Sequence, residues 1–275
     1  MDSAAEISPL LMMALAVAGV VLVIVSVAVY GKLIHRIAKE GGKVVTANFG
    51  PPDLLAGGLL GVWFVTAIIR GMQAPPKPVK AEDITSGVMV FLFVVTAICS
   101  FLYFRGIDVI AQFGIRRVGF PKFAGIAVLL MLAAYPLIGS ASAVTQKLLG
   151  EDAQPQELVK YFLNATSRSD YAAIITTVVM AVFFAPMVEE FIFRGYFHGV
   201  LKRYTGIAGA TLINAGLFAA IHLNESSLPS LFLLAVCFTI AYEFTGSLLV
   251  NICMHSLFNL TNLLLLFYAA HHVPL

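Results

Sequence analysis

The sequence predicts an all-α, polytopic transmembrane helical bundle of about eight spans, and three observations carry that prediction. Sixty per cent of the 275 residues are hydrophobic and twelve per cent are charged, against about 45–50% and about 25% in an ordinary soluble domain. Several apolar runs reach or approach the roughly 20 residues that a helix rising 1.5 Å per residue needs to cross about 30 Å of hydrocarbon. The runs are continuous rather than alternating, which is the pattern of spanning helices and not of a barrel.

Taken in chain order, the runs fall at 9–30, 54–69, 84–104, 123–143, 171–200, 207–223, 228–245 and 248–270. The first is longer than a signal-peptide core, and the charges before it, Asp2 and Glu6, are acidic, so it reads as a retained span. The second is short and lies between Pro51-Pro52 and Pro75-Pro76-Lys77-Pro78, residues that end helices or hold extended linkers. Between the fourth and fifth runs, residues 145–170 carry Lys147, Glu151, Asp152, Glu157, Lys160, Arg168 and Asp170, and are expected to form a polar loop. That segment divides the chain into an N-terminal membrane region, 1–144, without a motif, and a region 171–275 where the chemistry gathers. The fifth and sixth runs are separated by the turn signal Tyr204-Thr205-Gly206, and the last two by Thr245-Gly246-Ser247.

A net charge of +2 with scattered carriers argues against a nucleic-acid partner, which needs basic residues on one face. Lys and Arg serve here as topology markers. With the N-terminus outside, the inside loops hold Lys32, Arg36, Lys39, Lys43, Arg105, Arg116, Arg117, Lys122, Arg194, Lys202 and Arg203, eleven in all. The outside loops hold six: Arg70, Lys77, Lys80, Lys147, Lys160 and Arg168. The bias favours both termini outside, in an integral protein of a bacterial plasma membrane whose direct partner is lipid. Cys99, Cys237 and Cys253 all sit in apolar stretches without CxxC spacing, and are expected to be inert core residues.

The fifth run contains Glu189, Glu190 and Arg194 among aromatic and aliphatic residues. A charge at membrane depth costs roughly 3 kcal/mol or more unless it faces protein or a wet cavity. At i,i+4 spacing Glu190 and Arg194 can pair, while Glu189 points about 100° away and is left free. On this motif alone, a packing or helix-capping role stays open beside a reactive one. Glu189 lies about as far before the Gly206 turn as His222 lies after it, so in an antiparallel hairpin both reach the same depth. The last run adds Asn251, His255, Asn259 and Asn262, one polar stripe that lipid forces inward. Interhelical hydrogen bonding fits Asn251 and Asn262, whereas His255 and Asn259 join a set that already holds a carboxylate and a histidine. His198 could extend the Arg194 network or lie at an interface, and Glu243, beside the last turn, is expected to be interfacial.

E-E-x-x-x-R at Glu189 to Arg194, F-x-x-x-H at Phe218 to His222 and H-x-x-x-N at His255 to Asn259 together resemble the CPBP family of intramembrane proteases. That family includes the type II CAAX prenyl endopeptidases and the bacteriocin-processing and immunity-related (Abi) membrane proteins. The resemblance covers about eighty residues, and the first 170 offer nothing to match. It implies a hydrolase in which Glu189 is the general base and His222 its partner in holding a water. His255 and Asn259 would steady the oxyanion, with Glu190 and Arg194 as the supporting pair. The substrate class it implies is a membrane-associated peptide or protein, prenylated or not. Family members are often called metalloproteases, and Glu189, His222 and His255 are acceptable ligands for zinc. No HExxH is present and a Glu/His site can activate water unaided, so no cofactor is required by the sequence.

Two other functions suit the same residues. A CPBP-like scaffold or immunity factor without turnover would carry identical motifs. A secondary transporter could use buried Glu, His and Arg as a proton path, but the inverted repeats and paired broken helices of such a protein are not seen in the sequence.

Overall fold

In a computed structural model the chain is described over residues 8–75, 77–150 and 153–272. Asp2, Glu6, Pro76, Glu151 and Asp152 lie outside the described residues. Helices are the only regular elements among those described. They are α1 (Pro9–Glu40), α2 (Pro51–Gln73), α3 (Ala81–Phe104), the short α4 (Val109–Gln112), α5 (Lys122–Leu149) and α6 (Glu157–Ser167). There follow α7 (Tyr171–Val179), a π-helical segment (Met180–Phe184), α8 (Ala185–Glu190) and a second π-helical segment (Phe191–Phe197). The last elements are α9 (His198–Ala220), α10 (Leu228–Thr245) and α11 (Leu248–His272).

Among the described residues seven helices are long and apolar enough to cross a membrane. The fifth and sixth expected spans lie end to end in one of them, Tyr171–Ala220. Gly206 interrupts it with φ 73° and ψ 177°, a combination that is essentially restricted to glycine. At that residue the chain reverses. The rings of Phe193 and Phe218, 25 residues apart in sequence, stand 5.3 Å apart edge to face, whereas a straight helix would separate them by about 37 Å. Counted as passes rather than as helices, the chain therefore traverses the bundle eight times.

The polar segment departs from the expected loop. α5 runs on to Leu149, and α6 forms beyond it. The reason is amphipathic spacing: Phe162, Ala165 and Thr166 turn inward while Glu157 and Lys160 pair on the outer face at 2.8 Å. α6 covers α7 and the far half of α11. The first helix is also longer than its apolar run, continuing through the basic residues to Glu40.

One hydrophobic core draws side chains from both sides of the polar segment, among them Tyr30, Phe64, Met131, Phe193, Phe218, Phe238 and Met254. α5 packs against α1, α10 and α11, and the Tyr30 hydroxyl of α1 donates to the Leu130 carbonyl of α5 at 2.9 Å. In contrast α1 presents most of its apolar residues outward, from Leu10 to Val27. That is the surface a bilayer covers, so this is an integral membrane protein.

At one end of the bundle the backbone amide of Lys43 donates to the Glu243 carbonyl at 2.7 Å. There Arg117 donates to the Lys43 carbonyl at 2.9 Å, and Leu248 N–H to the Phe113 carbonyl at 3.1 Å. These bonds gather the 41–50 segment, the 105–121 loop and the α10–α11 turn. At the opposite end Asn224 donates to the Gln154 carbonyl at 2.9 Å.

Candidate active site

The site is built where α8 and the second π segment face α10 and α11. Wider π winding is rare and recurs at functional sites; here one such segment precedes Ala185–Glu190 and another follows it. Glu190 is fully buried, as are Arg194 and Asn251, and His255 is 4% exposed. Glu190 Oε1 accepts from the Arg194 guanidinium at 2.9 Å and lies 2.9 Å from His255 Nδ1. Its Oε2 faces the Asn251 amide at 3.4 Å, and the same amide donates to the Phe238 carbonyl at 2.7 Å. The i,i+4 pairing of Glu190 with Arg194 is therefore formed, and Asn251 makes the interhelical bond expected of it.

Arg194 sits between two aromatic faces, with its guanidinium carbon 4.3 Å from the Phe218 ring centroid and 5.2 Å from that of Phe238. Its Nη2 reaches the Ala235 carbonyl at 3.5 Å. Cation–π contacts of this kind are worth about 2 kcal/mol when desolvated, and they hold a charge that lipid would otherwise reject. Phe238 had no sequence signal, since one aromatic in an apolar helix is indistinguishable from core.

Glu189 is directed away from that pair, as its position one residue earlier on the helix requires. Its side chain keeps 18% exposure, and its Oε2 is buried without a hydrogen-bond partner. The imidazole nitrogen nearest to that oxygen belongs to His255, whose Nε2 is 3.9 Å away. His222 shares the neighbourhood through Phe218, whose ring centroid is 4.9 Å from that of His222 and 6.0 Å from that of His255. His222 donates Nδ1–H to the Phe218 carbonyl at 2.7 Å. A carbonyl can only accept, so Nε2 of neutral His222 is left with its lone pair. Asn259 lies one turn farther along α11, where its amide donates to the Ala181 carbonyl of the first π segment at 2.7 Å.

No group of three or more His, Cys, Asp or Glu side chains among the described residues is placed to hold a metal ion.

A second ionic cluster lies outside this centre. Glu243, beside the turn at one end of the bundle, is 1% exposed. Its two oxygens take His198 Nε2 at 2.8 Å and Lys202 Nζ at 2.7 Å. Lys202 also donates to the Val44 carbonyl at 3.0 Å, and a side chain on Gly42 would collide with the Glu243 carboxylate. This cluster bolts the 41–50 segment to α9 and α10. The spacing of four between His198 and Lys202 was the signal for it. Of the cysteines, Cys237 is buried and the other two are half-buried.

Comparison with known families agrees with the motifs. Residues 171–261 match the family described as type II CAAX prenyl endopeptidase, Rce1-like, so for this segment the resemblance to the CPBP family is shown. No curated protein and no solved structure matches the chain.

Proposed function

We propose that this integral membrane protein, with its CAAX-endopeptidase-like segment over residues 171–261, is an intramembrane endopeptidase that hydrolyses a peptide bond with a carboxylate-activated water. The observation that carries the reading is Glu189: a carboxylate with a buried, unpartnered oxygen beside the His255 imidazole, while the adjacent Glu190 pairs with Arg194.

Glu189 takes a proton from water as the new C–O bond forms at the substrate carbonyl. His222 holds that water through the lone pair of Nε2, since Nδ1–H is spent on Phe218. His255, as an imidazolium that gives Nδ1–H to Glu190 and keeps Nε2–H for the oxyanion, and Asn259, through the second hydrogen of its amide, steady the developing charge. When the C–N bond breaks, the proton on Glu189 passes to the leaving amine, which restores the carboxylate. Glu190 and Arg194 carry no proton in this sequence and support the wall of the site.

The substrate in this reading is a membrane-associated peptide or protein, with a prenylated C-terminal segment as the first class to try. Eight passes put both termini on one side, and the distribution of Lys and Arg favours the outer face of a bacterial plasma membrane.

The test is cleavage of prenylated and unmodified C-terminal peptides by the protein in lipid nanodiscs, followed by mass spectrometry. Wild type should cleave, and Glu189→Gln should lose about 10²–10⁴-fold, the usual worth of a positioned general base. A wild-type protein that cleaves nothing, with a Glu189→Gln variant that still performs its role in cells, would replace this reading with a scaffold or immunity factor.

A further inference from the structure

The cluster around Glu190 contains more donors than an ion pair needs. Oε1 accepts from Arg194 and also lies 2.9 Å from His255 Nδ1, while Oε2 faces the Asn251 amide at 3.4 Å. Arg194 and the Asn251 amide nitrogen can only donate, which leaves Glu190 as the acceptor of all three contacts. A lone pair on Nδ1 would then face carboxylate lone pairs at hydrogen-bond distance between two buried side chains, so Nδ1 must carry a proton. The other ring nitrogen, Nε2, is the one turned toward Glu189. Two rings fix the plane of the imidazole: Phe238 at 5.3 Å, tilted 37°, and Phe218 at 6.0 Å, edge to face.

We infer that Glu190 is a positioning residue for His255: it fixes the proton on Nδ1 and so makes Nε2 the nitrogen that works beside Glu189. The arrangement parallels the carboxylate of a serine-protease triad, which holds its histidine in one tautomer and costs about 10⁴-fold in turnover when neutralised. It differs in that Arg194 shares the carboxylate, so removal of Glu190 disturbs an ion pair as well as an imidazole. Asn251 contributes by holding Oε2 while anchored to the α10 backbone. The inference rests on the protease reading for its kinetic consequence, but not for the state of the imidazole.

The experiment is nitrogen-15 NMR of histidine-labelled full-length protein in nanodiscs, with the His255 signals assigned by their loss in His255→Gln. Wild type should show Nδ1 of His255 protonated and hydrogen-bonded. A wild-type spectrum with the proton on Nε2 and none on Nδ1 overturns the proposal, whether or not Glu190 variants fold. In Glu190→Gln the amide can donate to Nδ1, so a population protonated on Nε2 alone should appear. With a cleaved substrate in hand, kcat of that variant should fall at least about 10²-fold with KM changed less than about threefold. A folded Glu190→Gln protein with the wild-type tautomer and wild-type kcat also overturns it. If the tautomer is as stated but no peptide is cleaved, the protease reading fails and the positioning of His255 by Glu190 stands.

Discussion

Asn259 of α11 donates its side-chain amide to the carbonyl of Ala181 at 2.7 Å, and thereby ties the last helix to the π segment that leads into Glu189 and Glu190. A residue expected only to meet substrate is also a brace. Asn259→Ala should therefore lower turnover by about 10²–10³-fold, as loss of one oxyanion donor does, and lower stability by about 1 kcal/mol through the lost bond. Steady-state kinetics and thermal unfolding on one preparation separate the two. Loss of stability without loss of turnover would leave only the brace.

Arg194 is fully buried between Phe218 and Phe238 and is paired with Glu190. Arg194→Ala should cost about 3–5 kcal/mol, the penalty for stranding one charge of a buried pair, and should appear as low folded yield in size-exclusion chromatography. Arg194→Lys should rescue little, because an ammonium has neither the planar fork nor the stacking face of a guanidinium. Wild-type yield for both variants would contradict the pairing.

Gly206 needs no space for a side chain, since nothing lies within 4 Å of where a Cβ would be. Its backbone is the constraint. Gly206→Ala should destabilise by about 1–3 kcal/mol through strain alone, with an unfolding midpoint several degrees lower. An unchanged midpoint would mean that the hairpin does not depend on this conformation.

Glu243 is the acceptor shared by His198, Lys202 and the 41–50 segment. Glu243→Gln leaves Lys202 half-satisfied at low dielectric and should destabilise by roughly 3 kcal/mol. Limited proteolysis should cut within 41–50 faster than in wild type, while kcat of the folded fraction stays within about threefold. A fall in kcat comparable with that of Glu189→Gln would place Glu243 in the chemistry instead.

The helical architecture and the contents of the last third were legible because each had a strong cause. Lipid forbids unpaired backbone and charge, so long apolar runs had to be helices, and Glu190, Arg194, Asn251 and His255 had to turn inward, although the contacts of Glu190 with His255 and Asn251 were not foreseen. Less was legible where tertiary packing chose among equals. Matching depth pointed to His222 beside Glu189, and the approach of His255 Nε2 to within 3.9 Å of Glu189 had no such signal, because sequence distance from a turn does not encode rotation about a helix axis. Glu243 lies near a helix end, where a solvated carboxylate would be at home. The 41–50 segment buries it, and no pattern in α10 announces that cover.

The second π segment has a consequence for helix phase. Glu190, Arg194, His198 and Lys202 follow one another at intervals of four, and each finds its partner on α10 or α11. In plain α winding every such step overshoots a full turn by about 40°, so Lys202 would stand about 120° around the axis from Glu190. The wider winding over Phe191–Phe197 absorbs much of that drift, and one wall of the bundle can receive all four side chains. The Glu190–His255 contact and the Glu243 bolt are thus kept in phase by the same few residues. A change that rewound this stretch as ordinary α-helix could hold Glu190 against His255 or Lys202 against Glu243, but not both.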